Sequence, residues 1–428
     1  MDTTAAHQSP LRPAPLSRRR FLSLAAAGVA GASAVPLLGA CRGGGAQGSS
    51  DTVTFGAMLP LTGGVATEGK KQKEGYDLWM EVVNQAGGIR VGNRAYRVDV
   101  KYYDYQSDNA TAVKLTEKLI TEDGVKFLLG PFGSATGKAV SAVAEKNRIP
   151  LILVSSASKE VFTEGFRYTF GTLTPNETLA DPLTEIVSHL DPPIRTVAIV
   201  ARNDLFPLAM GNATKAAAEA RGMRVVQFDQ YPIGAKDHSS ILTAAKSNTP
   251  DWLYVTGYVE DLVPMVKEMR QLAVDAKLTT MVAAPAYQEF IDGLGKDADY
   301  ISSAMWWHPK VRYEGADIFK TADNYTQLFK AKYGYLPDYI NASPSLAGVL
   351  FQLALERAGA VDPEKVRDEL AKMDVTTFFG PVRFSPQGQN TKTDAVLFQI
   401  KDSQVHVFSP QTIADGRLVY PQPAWSAR

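Results

Sequence analysis

The chain has 428 residues, with 45 basic and 45 acidic side chains and a formal net charge of zero. That balance, with no polybasic run, argues against nucleic acid or an anionic membrane surface as a partner, because both need clustered Lys and Arg. One cysteine allows no internal disulfide, so stability must come from burial, and a chain this long is expected to divide into two lobes.

At the N-terminus, Ser17-Arg18-Arg19-Arg20-Phe21-Leu22 is followed by an apolar run over residues 24–38 and then by Leu38-Gly39-Ala40-Cys41. Arginines, a short apolar segment and small residues ahead of a cysteine predict an export signal over 1–40. The paired Arg18 and Arg19 point to the twin-arginine route, and Cys41 is the expected lipid-bearing first residue of the mature chain. The apolar run is shorter than the roughly twenty residues that cross a bilayer. Losing 1–40 removes Arg12, Arg18, Arg19 and Arg20 but only Asp2 among the acids, which leaves the mature protein slightly acidic. Residues 41–50 are mostly Gly, Ser and Ala and read as a flexible tether. The expected location is outside the cytoplasmic membrane, in the periplasm or at its outer face, held by lipid on Cys41.

Apolar strand-like runs over 53–59, 98–103, 127–129 and 151–154 alternate with helical patterns over 70–85, 109–122 and 138–147. The rhythm repeats after Asp181, with strands over 197–200, 224–228, 252–256 and 278–282, and helices near 209–221, 238–247 and 262–272. Two α/β, doubly wound sheets are predicted. Short right-handed crossovers place loops, and therefore any ligand, at the carboxyl ends of the strands. Gly87-Gly88 is expected to end the helix before it through a left-handed turn.

Several segments carry a family resemblance: Leu59-Pro60-Leu61-Thr62-Gly63-Gly64, Asn84-Gln85-Ala86-Gly87-Gly88-Ile89, Tyr103-Asp104, Asp123-Gly124-Val125, Gly130-Pro131-Phe132-Gly133-Ser134, Tyr333-Gly334-Tyr335 and Phe379-Gly380-Pro381-Val382-Arg383-Phe384. Over nearly all of 51–400 the chain resembles solute-binding proteins of the leucine/isoleucine/valine and amide type, which feed ABC importers. The resemblance implies a type I periplasmic-binding fold, a monomer without cofactor, a small-molecule ligand and a membrane permease as partner. It also implies three crossings between lobes, near Thr174, Trp307 and Ser385. These give lobe I as 51–174 with 307–384, and lobe II as 175–306 with 385–428.

Ser134 follows a buried strand and opens a helix, a position that favours an anion; it either caps that helix or, by resemblance, holds a ligand's carboxylate or amide oxygen. Ser155-Ser156-Ala157-Ser158 borders the same pocket by resemblance. Relatives usually carry threonine where Ala157 stands, so only the backbone amide remains there, and Ser156 or Ser158 either replaces the hydroxyl or bonds locally. From the second lobe, Phe206 stands where relatives usually have tyrosine, and Tyr258 matches a pocket tyrosine. Amino-acid binders carry a glutamate for the ligand's ammonium in the loop read here as Pro285-Ala286-Tyr287, which holds no carboxylate; Glu289 is expected in the next helix, pointing away. Glu68 replaces a common tyrosine and is either a surface residue or a relocated partner for a cationic or hydroxyl-bearing group. Adjacent strand residues face opposite ways, and of Trp306 and Trp307 the second is expected in the cleft, with Asn341 near another wall.

Other functions find less support. Ser156-Ala157-Ser158-Lys159 fits S-x-x-K, but S-D-N and K-T-G are missing. The segment from Gly64 to Lys70 resembles a P-loop, yet Lys71 stands where magnesium needs Ser or Thr. The histidines, His7, His189, His238, His308 and His406, have no metal-ligand spacing, so no metal is expected. A binding protein serving a separate signalling receptor is the alternative of the same fold.

Overall fold

The computed structural model describes residues 51–428; the readings of the export signal, of Cys41 and of the tether lie outside the described residues. The first run of elements is β1 (Thr52–Leu59), α1 (Ala66–Gln85), β2 (Ile89–Val91), β3 (Arg94–Asp104), α2 (Asn109–Thr121), β4 (Leu128–Leu129), α3 (Ser134–Asn147), β5 (Leu151–Leu153) and β6 (Thr169–Gly171). They form a six-stranded sheet in the order β2-β3-β1-β4-β5-β6, parallel apart from the β2–β3 hairpin. The strands of its middle are short and buried on both faces, as expected where helices cover both sides. Helix α1 stops before Gly87 and Gly88, whose φ angles of 99° and 89° are those that glycine adopts without strain.

The chain then builds α4 (Glu177–Ser188), β7 (Thr196–Arg202), α5 (Leu205–Ala220), β8 (Arg224–Tyr231), α6 (Ser239–Asn248), β9 (Trp252–Gly257), α7 (Val259–Leu272), β10 (Leu278–Ala283), α8 (Gln288–Leu294) and β11 (Ile301–Met305). It returns to the first sheet with α9 (Ala322–Tyr333), α10 (Tyr339–Ala358), α11 (Pro363–Ala371) and the hairpin β12 (Asp374–Thr377) and β13 (Gly380–Arg383). It ends in β14 (Val396–Lys401) and β15 (Gln404–Ser409), which extend the second sheet as an antiparallel pair beyond the strands read from sequence. The second sheet runs β15-β14-β11-β10-β9-β7-β8. Two doubly wound sheets are therefore present, each the centre of a lobe.

Helix α10 packs along α1 beneath the first sheet. A Cβ on Gly75 would lie 2.1 Å from the Asn341 carbonyl oxygen, so glycine is what lets the two helices touch. Beside them Phe55, Trp79, Phe127 and Phe351 stack with ring centroids 5.3 to 5.6 Å apart, each ring contributing about 2–3 kcal/mol through burial. In the second lobe the buried Trp252 meets the Tyr254 ring at 5.4 Å and donates to Thr280 Oγ1 at 2.9 Å.

Three links join the sheets: after β6, after β11 and before β14. They are bonded to one another. Asn390 Nδ2 donates to the Thr172 carbonyl at 3.0 Å, Gln389 Nε2 to the Ala157 carbonyl at 3.1 Å, and Trp306 Nε1 to the Thr174 carbonyl at 3.1 Å. The cleft lies between the carboxyl ends of the two sets of parallel strands.

Candidate ligand site between the lobes

On the first-lobe side, β4 runs into the turn Gly130-Pro131-Phe132-Gly133. Gly133, at φ 85°, is the N-cap residue of α3 and brings no side chain to the helix end. Ser134 is thus the first helical residue, and its hydroxyl does not cap. Instead Ser134 Oγ accepts the Ser158 N–H at 3.3 Å, and its own O–H has no protein acceptor among the described residues. Ser155 and Ser156 bond locally: Ser155 Oγ accepts the Gly133 N–H at 2.9 Å, and Ser156 Oγ donates to the Gly133 carbonyl at 3.1 Å. The Ser156 side chain therefore shapes the turn. Ala157 is fully buried, with its carbonyl taken by Asn176 N–H and Gln389, while its N–H meets no protein acceptor among the described residues. This wall presents free donors: the Ser134 hydroxyl, the Ala157 amide and the first N–H groups of α3.

The facing wall is aromatic. Phe206, in the first turn of α5, lies stacked on Tyr258 at 6.3 Å and against Trp306 at 6.1 Å. Tyr258 meets Phe132 edge-on at 5.0 Å, with the Arg202 guanidinium 4.9 Å from its ring centre. Trp306 touches Tyr339 at 5.3 Å, and Tyr339 meets Tyr287 at 5.8 Å with the two hydroxyls 2.9 Å apart. Phe132, Tyr258, Phe206, Trp306, Tyr339 and Tyr287 form one arc drawn from both lobes. Phe132, Trp306 and Tyr339 were not among the residues singled out from sequence, although Phe132 lies inside the Gly130–Ser134 motif.

Two expectations are corrected. Trp307 packs into the first-lobe core, stacked on Phe379 at 6.1 Å and edge-on to Tyr325 at 5.7 Å, so Trp306 is the tryptophan at the cleft. Alternation between neighbours holds, but in the opposite phase to the one expected. Asn341 is occupied by a helix cap: its Oδ1 accepts the Asp338 N–H at 3.1 Å, and its Nδ2 donates to the Lys71 carbonyl at 3.1 Å and to Glu74 at 3.2 Å. Both ends of its amide are used within the first lobe.

Charged groups inside the cleft have partners, some within one lobe and some across it. Glu68 is 1 % exposed, and its Oε1 accepts the Val259 N–H of the second lobe at 3.3 Å. Burial, helped by nearby Glu260, pushes its carboxyl up to about 7 against the opposing pull of that N–H and Arg202. Arg202 is gripped by Glu260 at 2.8 Å and Asp261 at 2.7 Å. Residues Ala284–Ala286 form a single apolar turn before Tyr287, in keeping with the missing carboxylate. Glu289 does begin the next helix, but its carboxylate reaches back to Lys71 of the first lobe at 3.1 Å rather than pointing away. A cavity of about 330 Å³ opens between the lobes, lined by Gly64, Tyr105, Ser107, Phe132, Thr136, Arg202, Tyr258 and Glu260 among others; of the arc only Phe132 and Tyr258 line it, and Ser134, Ala157, Glu68 and the remaining rings do not. A larger open groove of about 1060 Å³ runs between α4, α5 and the third link, and holds Asn176 but none of the free donors or rings just described. The cleft, with its converging donors and rings, is the better candidate. Among the described residues no set of three or more His, Cys, Asp or Glu is placed to hold a metal, and no helix is long and apolar enough to cross a membrane.

Residues 52–404 match the periplasmic binding protein family. The Leu/Ile/Val-binding protein homolog 8 of Brucella abortus is 24% identical over 389 residues, covering 86% of this chain and 92% of its own. The branched-chain amino acid transporter substrate-binding protein LivJ of Streptococcus pneumoniae, solved with isoleucine, has a TM-score of 0.75 and 22% identity, covering 84% of this chain and all of that one. A solute-binding protein of an ABC transporter from R. palustris, solved with benzoate, has a TM-score of 0.72 and 17% identity, covering 83% of this chain and 95% of that one. Proteins of this kind are binding proteins rather than enzymes. With a match across most of its length and the two-lobed fold to go with it, the chain belongs to the periplasmic binding protein family.

Proposed function

We propose that the mature protein, carried on lipid at Cys41 after twin-arginine export, captures a small organic solute in the inter-lobe cleft and presents the closed form, as a monomer, to the permease of an ABC importer. The lobes are 51–174 with 307–384 and 175–306 with 385–428, and closure is a rotation about the three links. Ser134 and the Ala157 N–H hold an oxygen of the ligand, while Phe206, Tyr258 and Tyr287, with Phe132, Trp306 and Tyr339, enclose its apolar body. Glu68 faces the ligand's other polar end. The single observation that carries this reading is the convergence of unpaired donors from one lobe and an aromatic arc from both upon one cleft.

The ligand class follows from the same groups. A carboxylate or amide suits the donors of the first lobe, and an aliphatic or aromatic body suits the rings. The turn before Tyr287 offers no carboxylate to an ammonium, and Glu68, whose carboxyl burial pushes up to about 7, is a weakened partner for one; a poorly paired buried ammonium is costly. An acid or amide without an amino group is therefore favoured over a branched-chain amino acid. Of the ligands in the two structural relatives named above, benzoate is nearer this class than isoleucine.

Thermal unfolding of the purified chain with benzoate, an aliphatic amide, isoleucine or leucine tests the reading. A ligand at a hundred times its dissociation constant adds about 2.7 kcal/mol of stability. Benzoate or the amide is expected to raise the midpoint and the two amino acids to leave it nearly unchanged; a strong response to isoleucine or leucine alone would refute the proposed class.

A further inference from the structure

The ion pair between Lys71 and Glu289 joins the lobes without belonging to the proposed ligand contacts. Lys71, on α1, is 2 % exposed, and its Nζ lies 3.0 Å from Asp338 Oδ2 and 3.1 Å from Glu289 Oε2. Asp338 belongs to the same lobe and fixes the ammonium in place, since it is itself the N-cap of α10 and accepts the Ile340 N–H at 2.7 Å. Glu289 belongs to α8 of the other lobe, and its side chain is 41 % exposed at the rim. The Tyr335 ring lies 4.6 Å from Nζ and the Tyr287 ring 5.7 Å, so the cation is walled by π faces from both lobes.

Opening the cleft would separate Lys71 from Glu289 but leave it with Asp338. Release returns the Glu289 carboxylate, whose Oε2 is buried against Lys71, to the water at the rim, whereas the buried ammonium loses one of its two partners. The pair therefore favours the closed arrangement, and does so with charges that are both the protein's own. Burial alone would lower the Lys71 pKa, and the two carboxylates more than offset that, which keeps the ammonium charged. Another cross-lobe pair, Lys159 with Glu177 at 2.8 Å, has side chains 58 % and 48 % exposed and should hold far less firmly.

We infer that Lys71 and Glu289 are positioning residues for capture: their ion pair latches the lobes together and sets how long a ligand stays, without touching it. The inference rests on the reading of the cleft as a closing ligand site. It also accounts for a ligand that needs no ammonium, because the protein supplies its own cross-cleft cation.

The test compares the full chain with Glu289→Gln, Asp338→Asn and Glu177→Gln by small-angle X-ray scattering without ligand and by stopped-flow release of benzoate. Glu289→Gln is expected to raise the open-to-closed ratio about three- to tenfold, seen as a larger radius of gyration, and to speed release by a similar factor with the association rate little changed. Asp338→Asn, which loses a contact within one lobe, should lower the unfolding midpoint while leaving the radius of gyration near that of the wild type; Glu177→Gln should change neither. A Glu289→Gln protein with the radius of gyration of the wild type overturns the latch. If benzoate does not bind, release is followed with the aliphatic amide instead, and the scattering comparison still decides whether the latch exists.

Discussion

The first lobe meets the cleft with hydroxyl and amide groups, and the second meets it mainly with rings. The polar side is rigid because its loops are bonded to themselves: Ser155 and Ser156 hold Gly133, and the Ala157 carbonyl is fixed by Gln389. What remains free there is a small set of aimed donors, which suits the recognition of one oxygen-bearing group. The aromatic side offers area instead, and area tolerates variation in the ligand's shape. On the proposed reading, orientation falls to one lobe and most of the contact surface to the other, with neither sufficient alone.

The comparison breaks most visibly at the two neighbouring tryptophans. Trp307→Ala empties a site deep in the first-lobe core and should cost about 3–5 kcal/mol of folding stability, read by chemical denaturation. The loss should be the same with and without benzoate, since Trp307 is not at the cleft. Next in size, Tyr258→Ala removes a ring that touches both Phe206 and Phe132 and should weaken benzoate binding by about 2 kcal/mol or more in calorimetry. Ser134→Ala should cost about 1–3 kcal/mol of affinity with stability little altered; unchanged affinity would remove Ser134 from the ligand's polar end.

The last effect expected is a slope with pH. With the cleft closed the Glu68 carboxyl is raised from 4.5 to about 7, first by burial and then by Glu260, with Arg202 acting against it. A raised acid holds its proton in the closed form after the open form has lost it. Its support for closure is therefore complete below about 4.5 and lost as pH rises to about 7. Affinity for a neutral amide should decline across that window, and Glu68→Gln should flatten the decline. An unchanged profile in Glu68→Gln would show that the carboxyl does not titrate with closure.

Much of the βα rhythm was legible because strands buried on both faces read as short apolar runs and amphipathic helices alternate with them. The later elements were harder. The β14–β15 hairpin lies far in sequence from β11, which it joins where Ser302 meets Gln399, and pairing at that separation leaves no local pattern. Ser134 was singled out because it follows a strand end, where this topology puts ligands, and Phe206 and Tyr258 through the family resemblance. Trp306 was passed over for Trp307 because alternation says only that neighbours diverge, not which of them turns inward. Asn341 looked available until its cap was seen, and the reach of Glu289 to Lys71 depends on two lobes coming together across 218 residues.

The links between the lobes have one more consequence. Because Asn390, Gln389 and Trp306 tie the three crossings and their neighbouring turn into a knitted joint, the lobes can swing but are poorly able to slide or twist past one another. If closure proceeds as a rotation about this joint, solutes of different outline would bring the molecule to nearly the same final silhouette. A transporter waiting in the membrane then needs to recognise only one shape, whatever cargo lies within.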